Sequence, residues 1–246
     1  SAALPIPARR ALLRRLDQAL QGVVTFVLAR HRAIDDLILA TPSDQVVFMG
    51  AGYDTRLARL CERLQQSVVF EVDHPDTAQR KSELADAVYA DAELAPSVTV
   101  TVDFAEDSIE RRLCEAGLDP DVRTLWIWEG VSMYLPEQAV RDTLKLFTRL
   151  SGSNSLAVCD VLSDPRRNGI LAKTQTHVLE VAMEWIYSEP FLWHCPRDQI
   201  ASFFASCGLT ILEDFGLDEL VGRYEKRLHG WLEAAPSFRL LISEPK

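Results

Sequence analysis

The turn after the first apolar run constrains this chain most, because it joins a strand, two glycines and a helical pattern. Residues 46–49 are apolar and begin with two β-branched valines, and they pass through Gly50-Ala51-Gly52 into a segment with one apolar helical face. In α/β proteins a strand–turn–helix junction of this kind holds a nucleotide-like ligand. The turn therefore predicts a ligand site at the carboxyl edge of a parallel sheet.

The residues after the second glycine decide which ligand this turn favours. A dinucleotide-binding turn has a third glycine or an alanine at the sixth position counted from Gly50. Here that position is Thr55, and Asp54 precedes it. A carboxylate at the helix start repels a pyrophosphate and competes for the same backbone N–H groups. A cationic ligand without phosphates fits better, and S-adenosylmethionine has both properties, whereas NAD(P) in a reductase is the rival hypothesis.

The size and charge of the chain narrow the class of protein. The chain has 246 residues and a formal net charge of −10, so one large α/β domain fits better than two separate cores. An acidic balance argues against DNA or RNA as the main partner. The apolar runs are too short to cross a bilayer, so we expect no membrane partner. Arginines at positions 9, 10, 14 and 15 interrupt the N-terminal apolar stretch, so we expect no signal peptide.

The cysteines indicate the compartment. The five cysteines are scattered, odd in number and form no C-x-x-C pair. Free thiols in a reducing cytoplasm are the expected state, without a disulfide or a zinc site. The histidines are also isolated in sequence, so the sequence predicts no metal.

The rest of the chain alternates apolar strand-like runs with helical patterns, which predicts a doubly wound, mostly parallel α/β sheet. The expected strands cover residues 46–49, 68–72, 98–102, 124–128, 156–161, 209–213 and 238–243. We interpret 1–246 as one domain. Its parts are an N-terminal helical cap (1–41), a ligand-binding core (42–162), a cap insert (163–200) and the end of the sheet (201–246).

Acidic residues follow three of the predicted strands, at Asp73, Asp103 and Glu129. The carboxyl ends of parallel strands meet at one crevice, so these acids are expected to lie near the glycine turn. Asp73 lies 21 residues after Gly52, the separation at which such folds place the carboxylate that binds ribose hydroxyls. Each acid alone is equally well explained as the N-cap of the next helix, but together they favour a site.

Three segments of the sequence are distinctive as a set: Gly-Ala-Gly-Tyr-Asp-Thr-Arg at 50–56, Phe-Glu-Val-Asp at 70–73 with Pro75, and Glu-Gly-Val-Ser-Met-Tyr-Leu-Pro at 129–136. They resemble the leucine carboxyl methyltransferase family, and most closely its bacterial branch of small-molecule O-methyltransferases. A fourth segment, residues 29–36, is similar to the family's arginine-containing helix. The resemblance implies a class I methyltransferase sheet with a reversed last strand and a helical cap, which binds S-adenosylmethionine.

The resemblance also implies roles for individual residues. Arg30 would pair with the carboxylate of the methionine group, beside the turn formed by Gly50 and Gly52, and an arginine fork suits a carboxylate physically. By the same resemblance, Asp73 would bind the ribose, and Asp103 with Phe104 would contact the adenine. Glu129 would contact the methionine group. The sequence departs from the family at His31, where bacterial relatives often have threonine, and in having no lysine before Lys81.

The methyl acceptor is less constrained. A carboxylate is ionised at pH 7 and needs no general base, whereas a hydroxyl would want one. No evident base stands in the sequence, which favours a carboxylate of a small aromatic or polyketide-like metabolite over a hydroxyl acceptor. Tyr134 and His194 are the substrate-side candidates. The aromatic residues of the insert either line a substrate pocket or pack the cap onto the body: Trp185, Tyr187, Phe191 and Trp193.

Two further alternatives stay open at this stage. One is methylation of a protein C-terminal carboxylate, and the other is a non-catalytic binding subunit that keeps the fold. A homodimer is compatible with the sequence, which does not decide the oligomeric state.

Overall fold

A seven-stranded sheet forms the centre of the fold. The computed structural model describes residues 15, 23–89, 92–103, 107–163, 190–224 and 238–246. The strands in these ranges are β1 (Gln45–Met49), β2 (Val68–Asp73), β3 (Ser97–Thr101), β4 (Thr124–Trp128), β5 (Leu156–Leu162), β6 (Leu209–Gly216) and β7 (Phe238–Pro245). Their order across the sheet is β3-β2-β1-β4-β5-β7-β6.

The strand directions confirm the expected fold class. β3, β2, β1, β4 and β5 are parallel to their neighbours, whereas β7 runs antiparallel to both β5 and β6. All five residues of β1 and all five of β4 are buried, as expected for parallel strands that are covered on both faces. The last strand is therefore reversed, as the resemblance implied.

Helices cover both faces of the sheet. They are α1 (Val23–Ala40), α2 (Arg56–Arg59), α3 (Cys61–Leu64), α4 (Pro75–Val88), α5 (Ile109–Glu115), α6 (Glu137–Arg149), α7 (Ile200–Ser206) and α8 (Leu217–Tyr224), with a 3₁₀ helix at Ser132–Tyr134. One core packs around Trp126, whose ring centroid lies 4.7 Å from that of Phe147 on α6. The other core includes Phe26 of α1, whose ring centroid lies 5.2 Å from that of Phe238 on β7.

One helical prediction needs a correction. The segment after the glycine turn, with its one apolar helical face, is two short helices rather than one, because Leu60 leaves the helical conformation at φ −120° and ψ 30°. Pro136 is the N-cap residue of α6, since its ψ of 148° is extended. Residues 1–22 of the predicted cap lie outside the described residues, apart from residue 15.

The strand register brings the predicted site residues to one edge. Met49, the last residue of β1, pairs with Val72, and Phe48 pairs with Ile127 of β4. The chain then leaves all three strands at the same end of the sheet. The segments that follow β1, β2 and β4 therefore meet at the carboxyl edge, as the sequence predicts.

Candidate active site

The glycine turn requires glycine at its first position. Gly50 has a φ of +71°, which is in the left-handed region, and a Cβ there would lie 2.7 Å from Cγ2 of Val131. The backbone N–H groups of Gly50 and Ala51 both donate to the carbonyl oxygen of Val72, at 2.8 and 3.1 Å. Because these bonds hold the turn against the end of β2, the backbone itself forms one wall of the site.

A cavity of about 790 Å³ opens beside this turn. Its wall combines the turn, the end of β4 and one face of α1, so three sequence-distant segments contribute to it. The lining residues include Arg30, His31, Asp35, Gly50, Asp54, Arg59 and Glu129, together with the exposed apolar side chains of Leu28 and Tyr53. The cavity therefore brings together three of the predicted ligand residues: Arg30, Gly50 and Glu129.

Glu129 is held as a carboxylate by basic side chains. Its side chain is 13% exposed, and its oxygens lie 3.1 Å from Nη1 of Arg56 and 3.4 Å from Nε of Arg30. Burial disfavours the charged form, but the positive charges of Arg30 and Arg56 outweigh it and lower the pKa of Glu129 below its ordinary value. Glu129 is thus an anion at neutral pH.

Arg30 lies between two carboxylates. Nη1 donates to Asp160, a residue of β5 that is fully buried, and the second oxygen of Asp160 accepts from the backbone N–H of Gly130 at 2.7 Å. Nε is buried without a hydrogen-bond partner among the described residues, although Glu129 is close. The pKa of Arg30 is raised because these acids outweigh its desolvation. Its predicted contact with a methionine carboxylate stays a prediction.

Arg56 connects the elements around the cavity. Its side chain is fully buried, and its guanidinium donates to Asp35 at 2.7 Å, to Asp54 and to Glu129. Nη2 also lies 3.0 Å from Nδ1 of His31. Asp35 and His31 belong to α1, Asp54 to the turn, and Glu129 to the end of β4, so one side chain joins the three walls.

The residues that sequence reasoning missed are those that hold the ligand candidates in place. Arg56 is the last residue of the motif at 50–56, but the motif alone indicated no role for it. Asp160 could have been noticed in the sequence, because it is an acid in the middle of the apolar run 156–162. Asp35 gave no signal beyond its place in the segment 29–36.

Asp73 supports the turn directly. Its carboxylate accepts from the backbone N–H of Gly52 and, at 2.7 Å, from that of His74. Asp103 follows β3, and its backbone N–H donates to Asp107 at 3.1 Å. Neither Asp73 nor Asp103 lines the cavity described above. Their roles toward ribose and adenine stay predictions, and Phe104 lies outside the described residues.

The substrate-side candidates do not reach the cavity. The ring of Tyr134 is half-buried and lies 5.5 Å from that of Phe191, and the side chain of His194 is exposed. Trp193 is buried, with its ring centroid 5.1 Å from that of Phe203 on α7. The described aromatics of the insert therefore pack onto the body, which was one of the two interpretations. Trp185 and Tyr187 lie outside the described residues.

The family model for leucine carboxyl methyltransferase matches residues 6–148, which is more than half of the chain. This match includes the glycine turn, α1 and the end of β4. The chain belongs to the leucine carboxyl methyltransferase family. The family resemblance seen in the sequence is thus confirmed.

Curated relatives match part of the chain. A Mycolicibacterium gilvum protein named "Putative S-adenosyl-L-methionine-dependent methyltransferase" is 33% identical over 164 residues, which cover 63% of this chain and 52% of the relative. A Streptomyces avermitilis protein with a name of the same form is 34% identical over 155 residues, which cover 61% of this chain and 52% of the relative. The chain spans about half the length of the curated relatives it matches.

Solved structures agree on the fold. The structure of the mitomycin 7-O-methyltransferase MmcR has a TM-score of 0.53 at 14% identity, over 98% of this chain and 58% of that one. An O-methyltransferase family protein from Burkholderia thailandensis has a TM-score of 0.56 at 13% identity, over 87% of this chain and 56% of that one. At these identities the likeness supports a class I methyltransferase fold and nothing finer.

The described ranges contain no group of three or more acidic, histidine or cysteine side chains placed to hold a metal ion. No helix among them is both long and apolar enough to cross a membrane. All five cysteines are free, as expected.

Proposed function

We propose that this protein is an S-adenosylmethionine-dependent O-methyltransferase that acts on a carboxylate of a small molecule. The observation that carries the proposal is the charged cavity at the carboxyl edge, where Arg30 and Glu129 face the turn formed by Gly50. Family membership and the names of the relatives support the same activity. The cofactor supplies an electrophilic methyl group on its sulfonium.

The charges around the cavity suit this cofactor. S-adenosylmethionine carries a carboxylate, an ammonium and a sulfonium, so it has one net positive charge. Four carboxylates, Asp35, Asp54, Glu129 and Asp160, surround three guanidinium groups, those of Arg30, Arg56 and Arg59. Arg32 also lines the cavity, and its charge is balanced by its partner Asp36. One net negative charge remains, because the pKa of His31 is lowered and its ring is neutral. A dinucleotide with a pyrophosphate would instead add negative charge to a negative site.

Individual groups fit the ends of the cofactor. The Nε–H of Arg30 is a buried donor beside the cavity that forms no hydrogen bond among the described residues, although it lies 3.4 Å from Glu129, and it would donate to the methionine carboxylate. Glu129 would accept from the ammonium group, and the bare backbone at Gly50 lets the methionine chain approach. Asp73 would hold the ribose hydroxyls, and Asp103 with Phe104 would contact the adenine.

The residues of the chain would act on the acceptor mainly by position. Transfer from a sulfonium is an in-line displacement. The protein therefore accelerates it by holding the acceptor oxygen in line with the methyl group and by excluding water. A carboxylate acceptor arrives ionised and requires no proton transfer. Neither Tyr134 nor His194 lines the cavity. The free cysteines support a reducing, cytoplasmic location.

Transfer of label tests the function. The protein is incubated with radioactive methyl donor and an extract of small metabolites and proteins, and the products are separated by size. We expect label in small molecules, in a form that mild alkali releases as methanol, as an ester does. Label in a protein band would favour methylation of a protein C-terminal carboxylate. Full cofactor binding without any labelled product would favour a non-catalytic subunit.

Matched variants keep this test specific. Arg30→Gln removes a buried guanidinium at the cavity, whereas Arg80→Gln removes an exposed one that pairs with Glu83 on α4. Labelling should fall with Arg30→Gln and stay unchanged with Arg80→Gln. Equal labelling by both variants would contradict the assignment of the site.

A further inference from the structure

His31 has a fixed orientation in the cavity wall. Its side chain is 39% exposed and lines the cavity, and its Nδ1 lies 3.0 Å from Nη2 of Arg56 and 3.4 Å from Glu129. The carbonyl oxygen of His31 also accepts from Arg56 at 3.4 Å. Arg56 is itself held in place by three carboxylates, so its contact fixes the Nδ1 side of the imidazole ring.

The contact with Arg56 determines the tautomer. A guanidinium has donors and no acceptor, so Nδ1 must be the acceptor in this pair. The ring hydrogen of the neutral imidazole is then on Nε2. Desolvation, Arg56 and Arg30 lower the pKa of His31, against the opposing charges of Glu129 and Asp54. The neutral form with an Nε2–H donor therefore prevails at pH 7.

The Nε2–H group has no hydrogen-bond acceptor among the described residues. The two ring nitrogens of imidazole point in divergent directions, so Nε2 faces away from Arg56 and Glu129. None of the described residues forms a hydrogen bond with Nε2. A half-exposed, pre-oriented donor at the wall of a ligand cavity is well placed to bind an anionic group of that ligand.

We propose that His31 is a ligand-binding residue, and that its Nε2–H donates to the carboxylate of the methionine group beside Arg30. This inference rests on the proposed function, since it assumes that the cavity receives the amino-acid end of the cofactor. The side chains of His31 and Arg30 both line the cavity and both lie 3.4 Å from the Glu129 carboxylate, so the two donors are close enough to reach one ligand carboxylate. The acceptor Nδ1 would serve only to orient the ring.

Two ligands and two variants test the inference. S-adenosylhomocysteine has the amino-acid group, and 5′-methylthioadenosine has the same nucleoside and sulfur without it. His31→Asn keeps an acceptor near the position of Nδ1 and loses the Nε2–H. His31→Gln places an amide N–H near the position of Nε2. Dissociation constants of both ligands for the wild type and both variants are measured by calorimetry, below the unfolding transition of each protein.

The expected result is selective. His31→Asn should weaken S-adenosylhomocysteine about tenfold, as expected for one hydrogen bond to a charged group, and leave 5′-methylthioadenosine unchanged. His31→Gln should restore most of the lost affinity. Equal affinity of the wild type and His31→Asn for S-adenosylhomocysteine would overturn the inference alone, as would an equal loss for both ligands. A wild type that binds neither ligand would overturn the proposed function as well.

A second measurement observes the ring directly. The chain has five histidines, so the ¹⁵N signals of His31 are assigned by their loss in His31→Asn. In the wild type these signals should show hydrogen on Nε2, and S-adenosylhomocysteine should shift them whereas 5′-methylthioadenosine should not. A ring with its hydrogen on Nδ1, or the same response to both ligands, would contradict the proposal.

Discussion

Arg56→Met tests the network that holds the site together. The guanidinium of Arg56 is fully buried and contacts Asp35, Asp54 and Glu129. Methionine can take the place of the aliphatic part of the side chain but has no charge, so the substitution leaves three carboxylates without their shared partner. The pKa of Arg56 is raised because the acids outweigh its desolvation, and the network therefore favours the folded state.

The magnitude follows from the burial of the groups involved. Removing one partner of a buried ion pair costs about 3–5 kcal/mol, because a buried charge is left uncompensated. The three carboxylates are each about one-tenth exposed and line an open cavity. We therefore expect a loss of unfolding free energy near the lower end of this range, about 3 kcal/mol. Arg56→Lys keeps the charge without the fork and should lose less.

Arg59→Met is the matched control. Arg59 is on the same short helix and also pairs with Asp35, but its side chain is 43% exposed. An exposed pair contributes about 0–1 kcal/mol. Urea unfolding of the wild type and the three variants gives the free energies by linear extrapolation. A loss for Arg56→Met no larger than that for Arg59→Met would refute the view that Arg56 holds the site together.

Three other outcomes are expected. Gly50→Ala should destabilise the fold by more than about 1–2 kcal/mol, the cost of the left-handed conformation alone, because its Cβ also meets a valine at 2.7 Å. Gly117→Ala, at φ +96° with open space around it, is the control in the same urea assay, and equal losses would show that the contact is harmless. Asp73→Asn should weaken S-adenosylhomocysteine by about 1–3 kcal/mol in calorimetry, and unchanged affinity would remove Asp73 from the ribose site. The unfolding free energy should fall as the pH drops from 7 to 4, because the lowered pKa values of His31 and Glu129 make the folded state harder to protonate than the unfolded state. The unfolded state takes up a proton on His31 first, below its ordinary pKa of 6.5, and the stabilisation from Glu129 is lost as pH falls below 4.5 and through its lowered pKa. A flat profile would contradict both pKa directions.

Much of the fold was predictable because its signals are local. Buried parallel strands read as continuous apolar runs, and the predicted bounds of β4 match the observed Thr124–Trp128. The glycine turn was equally clear, since only glycine fits its positive φ at position 50. The break at Leu60 was not predictable, because the apolar spacing of residues 57–64 suits one helix as well as two.

The network behind the ligand candidates was harder to predict because its partners are distant in sequence. Arg30 and Asp160 are 130 residues apart, and Arg56 and Glu129 are 73 residues apart. These residues must be paired because they are buried, and a buried charge is costly without a partner of opposite charge. A sequence shows which residues are charged, but only the folded chain shows which of them lose contact with water.

The most direct test of the central claim is a calorimetric titration of the wild-type protein with S-adenosylhomocysteine, beside an identical titration with NADPH. The charge balance of the cavity and the carboxylate of Asp54 predict saturable binding of S-adenosylhomocysteine and no binding of NADPH. Saturable binding of NADPH, with no heat from S-adenosylhomocysteine at high concentration, would contradict the account.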